Sequence, residues 1–78
     1  MSSMHTMNQH GDTVTQWDAT DTSRAGRAAV CEAERIFAAA RASGMSAFRV
    51  TGPGETARLD TFDPTAPRIV LVPRLIGG

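Results

Sequence analysis

Between Asp21 and Gly44 the chain has one good option, a long amphipathic helix, and the rest of the fold must be arranged around it. Asp21-Thr22-Ser23 offers three side-chain oxygens able to accept a hydrogen bond from the free amides of a first turn. From Arg24 to about Ser43 the sequence is rich in Ala and free of Pro, with Gly26 early in the first turns. Ala29, Ala33, Ile36, Phe37 and Ala40 follow three- and four-residue steps and so form one apolar stripe, while Glu32, Arg35 and Arg41 fall mainly on other faces. Gly44 ends the run, because it alone adopts the left-handed conformation without a Cβ penalty. About 20 residues rising ~1.5 Å each span ~30 Å, enough to cross a small sheet. A helix with a single stripe needs one partner layer to bury it. A chain of 78 residues has room for one such pairing, and buries only about 60% of the surface its unfolded form exposes.

The partner layer is legible on both sides of the helix. Thr13 to Asp18 reads as a short strand of β-branched and aromatic residues anchored by Trp17. Val14 and Trp17 cannot both face the core of a regular strand, so either a bulge intervenes or the strand ends before Trp17. Residues 1–12 have two readings. They are a flexible N-terminal arm, or Met4 to Asn8 forms the first strand of a hairpin turning at His10-Gly11-Asp12. After the helix, Met45 to Thr51 places Phe48 and Val50 on one face. Thr51-Gly52-Pro53-Gly54 is a hairpin turn, and Thr56 to Phe62 returns with Ala57 and Leu59 on one side. Asp63-Pro64-Thr65-Ala66-Pro67 breaks the chain again. Arg68 to Val72 is then a continuous apolar run, the pattern of a central strand buried on both faces, and Pro73 stops its pairing. The expected architecture is α+β, one long helix packed on a small mixed sheet. The domain spans residues 13–73, and residues 74–78 form an extended tail.

Charge narrows the functions. Eight acidic residues balance eight basic ones, and no block of one sign appears, so nucleic acid and anionic membrane have no electrostatic footing. No run approaches the ~18–20 apolar residues of a membrane span, and no basic stretch leads into an apolar signal segment. With one cysteine there is no intramolecular disulfide framework. The expectation is a cytoplasmic protein. All eight basic residues are Arg, a bacterial-type bias that GC-rich coding favours, and without lysine the chain cannot build isopeptide-linked chains of itself.

Candidate catalytic and metal groups are sparse. Cys31 lies beside Val30 and reads as a half-buried thiol, with no base or electropositive setting to activate it. His5 and His10 have no cysteine or carboxylate completing a metal spacing. Asp60 and Asp63 suggest a carboxylate pair, but Asp63 precedes Pro64 and reads better as a turn residue. The Gly-Pro-Gly turn lacks the strand–loop–helix setting of a phosphate loop. The expectation is no catalytic residue, no metal and no cofactor, and hence no enzyme.

The distinctive chemistry is at the end. Without Cβ atoms, Gly77-Gly78 can lie extended in a channel too narrow for side chains, presenting the Gly78 carboxylate to another protein's active site. Leu75 and Ile76, beyond any strand, suit a stem that docks by inserting side chains into pockets. The stretch Ile69-Val70-Leu71-Val72-Pro73-Arg74-Leu75-Ile76-Gly77-Gly78 resembles the ends of ubiquitin-like β-grasp proteins. Its Leu71-Val72, Arg74-Leu75 and Gly77-Gly78 spacing is similar to ubiquitin's tail. Its Val72-Pro73 and terminal diglycine are similar to the small subunit of molybdopterin synthase and the thiamine sulfur carrier.

That resemblance implies a β-grasp fold and a carrier or modifier. Gly78 would be adenylated with ATP and passed on as thiocarboxylate, thioester or amide, with Arg74, Leu75 and Ile76 as the stem gripped by partners. Those partners would be an adenylating enzyme and a conjugating enzyme or synthase. A β-grasp domain opens with a full hairpin, whereas the sequence offers one clear strand there, so the resemblance also implies either that Met4 to Asn8 supplies the other or that the hairpin is reduced. The competing reading is a plain interaction module in which the diglycine is incidental.

Overall fold

Arg24–Ala42 forms helix α1 of the computed structural model, which describes residues 1–8 and 11–73. Of the three candidate caps Ser23 takes the role, its hydroxyl accepting from the Gly26 amide at 3.1 Å. The other end closes as a Schellman motif. Gly44 takes φ +96° and donates to the Arg41 carbonyl, while Met45 donates to Ala40. Gly26 does more than the sequence indicated. It is buried, and a Cβ there would meet the Asp21 carbonyl oxygen at 2.5 Å, so the chain entering the helix crosses it at backbone contact.

Five strands make one mixed sheet in the order β2-β1-β5-β3-β4. They are β1 (Ser2–Asn8), β2 (Gly11–Trp17), β3 (Ser46–Gly52), β4 (Glu55–Arg58) and β5 (Arg68–Val72). The N-terminal residues are therefore not an arm, and the hairpin is not reduced. Ser2–Asn8 pairs antiparallel with β2 along its whole length and parallel with β5 from Ser3 to Thr6. The reason lies outside the segment: β5 needs a hydrogen-bonding neighbour on the side away from β3, and a central strand without one would bury unpaired amides and carbonyls. The topology, with its parallel central pair and the helix between two hairpins, is consistent with a β-grasp-like arrangement.

The helix covers one face of the sheet. Met4, Ala33, Ala47, Ile69 and Leu71 are fully buried between the two layers, with Trp17, Phe37 and Ala40 closing the same cluster. Ala29 and Ile36 of the apolar stripe pack half-buried against it. The Trp17 indole stacks on Phe62 at 5.2 Å between ring centroids, and its Nε1 donates to the Pro64 carbonyl at 2.9 Å. Phe62 in turn meets Phe37 edge-on at 5.7 Å.

Several sequence expectations change here. β2 is regular through Trp17, with neither bulge nor early end; Val14 simply faces the other way and is half exposed. The strand expected over Thr56 to Phe62 is confined to Glu55–Arg58: Leu59 still donates to the Ala47 carbonyl at 2.9 Å and packs half-buried against the core, and beyond it Phe62 turns to meet Trp17 and Phe37. Turning at Pro53-Gly54, with φ +77° at Gly54, β3 and β4 pair with a register shift between Val50 and Gly52. β5 is central, yet only Ile69 and Leu71 are buried, while Val70 and Val72 are half-buried on the far face. Cys31 is exposed rather than half-buried. Two residues before Ala33, at ~100° per residue, it lies on nearly the opposite side of the helix.

Candidate functional site

The expected activation residues Gly77 and Gly78, and the stem residues Arg74, Leu75 and Ile76, lie outside the described residues. The structure does show the strand that precedes them in the sequence. β5 is the third of five strands, held by β1 on one side and β3 on the other, and it ends at Val72 with Pro73 exposed. β5 is thus paired on both sides from Arg68 to Leu71, and with β3 as far as Val72. Pro73 lacks an amide hydrogen and cannot extend the ladder.

Two surfaces adjoin β5. The first is the sheet face away from the helix, where alternate residues of each strand meet in rows. One row runs Val14, His5, Val70, Phe48, Arg58 across all five strands, and the next runs Gln16, Ser3, Arg68, Val50, Thr56. His5, Val70, Phe48 and Val50 are half-buried among their neighbours, while Arg58 and Arg68 are exposed. The middle of this face is therefore apolar, with a guanidinium at the end of one row and in the centre of the next. Sequence reasoning put Phe48 and Val50 together on one face, which the structure keeps. It could not say that this is the face without a helix, because alternation gives the pairing of side chains but not which side the second layer takes.

The second surface is a polar recess of about 470 Å³ lined by Arg41, Gly44, Ser46 and Arg58. Ser46 is the cross-strand partner of Val72, so the recess opens beside the last residue of β5. Arg41 is fixed from two sides, donating to the Met45 carbonyl at 3.2 Å and lying 3.7 Å from the Asp60 carboxylate. Two guanidinium groups and a hydroxyl are suited to receive a carboxylate or another oxyanion, and arginine's fork makes such contacts directional. Nothing in the linear sequence joins Arg41 to Arg58, since helix end and strand end meet only in the folded chain.

The remaining candidates separate. Asp60 faces Arg41, whereas Asp63 accepts from both the Thr65 amide and hydroxyl and from Arg49 at 3.2 Å, so the two carboxylates do not form a pair. The Thr65 hydrogen bonds first, with help from Arg49, hold Asp63 below the usual carboxylate range. His5 sits in the middle of the open face, and His10 lies outside the described residues. Among the described residues, no three metal-ligating side chains converge. No described helix is long and apolar enough to cross a membrane. Comparison with family models, curated proteins and solved structures gives no significant match to this chain.

Proposed function

We propose that this protein is a ubiquitin-like carrier or modifier whose working group is the Gly78 carboxylate. What carries the reading is the Gly77-Gly78 pair, four and five residues beyond Pro73 in the sequence that follows the central strand β5. In this reading the folded domain is the handle, and two residues without side chains can enter a channel too narrow for others. An adenylating enzyme would join the Gly78 carboxylate to the α-phosphate of ATP, releasing pyrophosphate. Attack on the acyl-adenylate by sulfide, a thiolate or an amine would then release AMP and leave a thiocarboxylate, thioester or amide. In this scheme the chain is a substrate and the chemistry belongs to its partner. The open sheet face and the Arg41–Arg58 recess adjoin β5, the strand that precedes Arg74, Leu75 and Ile76 in the sequence, and are the surfaces an enzyme gripping those residues would be expected to touch.

The test is incubation with ATP and an adenylating enzyme from the same source, reading pyrophosphate release and the mass of the C-terminal peptide. Intact protein should release pyrophosphate and, with a sulfide donor, gain the mass difference of sulfur for oxygen. A variant lacking Gly78 should do neither, and equal behaviour of the two would sink the proposal. The apolar open face favours a second reading, an interaction module with an incidental diglycine. That reading predicts partner capture that survives deletion of Gly78 and is lost on Phe48→Asp.

A further inference from the structure

We propose that the outer edge of β2 pairs with the same edge of a second copy of this chain, joining two sheets across a two-fold axis at Val14. The two edge strands are protected very differently. β4 is four residues long, starts directly after Pro53-Gly54, faces a register shift in β3 and carries Glu55 and Arg58. Short length, charge and irregular pairing are the devices that stop an edge from recruiting another strand. β2 is less protected: its one charged residue, Asp12, stands near its start. It is seven residues long, regular along its whole pairing with β1, and without Pro, Lys or Arg. Thr13, Val14 and Thr15 at its centre are the β-branched types that favour strands.

A second, independent observation points to the same edge. The large hydrophobic residues left exposed among the described residues are Met1, Met7 and Val14, at 86%, 42% and 50%. Met7 and Val14 belong to the β1–β2 hairpin, with Val14 on the edge strand itself and Met7 diagonal to it, across from Asp12. Exposed apolar surface gathered at one edge marks an association surface more readily than single residues spread over the molecule.

The occupant follows from charge and register. Formal net charge is zero, so no long-range repulsion separates two copies. Antiparallel pairing about Val14 sets Val14 against Val14 of the second copy, Thr13 against Thr15 and Asp12 against Gln16. Directly opposed residues in such a ladder approach within about 5 Å, where matching apolar pairs stabilise and like charges do not. No like-charge pair arises. Moving the axis one residue, to Thr15, would set Asp12 against Asp18 of the second copy and opposes itself. The resulting interface is isologous, with the same patch used twice. Both helices lie on one side of the continuous sheet, because paired residues in an antiparallel ladder share a face.

The proposal is independent of Gly78. Sedimentation equilibrium of the full chain should give a concentration-dependent mass approaching twice the monomer. Val14→Lys, which puts two ammonium groups face to face at the axis, should give the monomer mass with an unchanged circular dichroism spectrum. In a Cys31→Ser background, Val14→Cys should oxidise to a covalent dimer, while Val50→Cys, on the same face but on β3, should not. A wild-type monomer at all concentrations, a dimer indifferent to Val14→Lys, or no preference for cross-linking at position 14 would each overturn it. The cross-linking arm decides the matter even if the lysine variant does not fold.

Discussion

The two faces of the sheet are made from alternate residues of the same strands, and in β5 they are adjacent letters of one apolar run. Ile69 and Leu71 point to the helix and are fully buried, whereas Val70 and Val72 point away and keep contact with water. By side-chain type the faces are near equals. They differ because only one has a second layer. The covered face holds the domain together, and the open face has no second layer among the described residues. Among the described residues the one long helix is spent on one side, and a layer needs a partner element to cover it.

The sharpest way to break that comparison is a pair of truncations in β5. Leu71→Ala should cost about 2–5 kcal/mol, the range for a large side chain removed from a closed core. A domain this small loses roughly 4–8 °C of melting temperature per kcal/mol. Val70→Ala, one residue earlier on the open face, should cost about 1 kcal/mol or less. Equal losses in thermal melts would mean the two faces are not as different as their burial indicates.

A smaller effect tests how the covering layer is seated. Gly26→Ala should gain up to ~1 kcal/mol of helix propensity, yet the added Cβ runs into the Asp21 backbone. Such overpacking costs typically about 1–3 kcal/mol, so the net change in a denaturant titration should be destabilising. A stabilised variant would show that the approach of the chain to α1 is looser than described.

The smallest expected effect is in acid. Asp63 has its folded pKa lowered, first by the Thr65 hydrogen bonds. Its contribution is therefore fully present above the unfolded carboxylate range and is lost as pH falls through the folded value. Asp63→Asn should lower stability near neutrality and flatten its decline between about pH 5 and about pH 2. Parallel pH–stability curves for the two proteins would remove Asp63 from the turn that seats Pro64 under Trp17.

How much of this was legible follows from how local each signal is. α1, its Ser23 cap and its Gly44 stop depend on hydrogen bonds and dihedrals within a few residues, so the sequence carries them outright. The Pro53-Gly54 turn and the Pro73 stop belong to the same class. β1 was ambiguous because Ser2–Asn8 has little pattern of its own and is a strand only through its neighbours β2 and β5. Val14 posed a conflict with Trp17 only while both were assumed to seek one core. Cys31 was misplaced by reading adjacency along the chain as adjacency around the helix. The Arg41–Arg58 recess had no linear signal at all.

What the sequence determined by itself is the helix, the turns, the apolar run of β5 and the diglycine after it, because each rests on the conformational limits of its own residues. Only the tertiary structure decided which strand pairs with which, which face of the sheet is covered, and that β5 is the central strand. Those outcomes depend on satisfying the hydrogen bonds and burying the apolar surface of segments far apart in the chain, and no short window of residues contains that information.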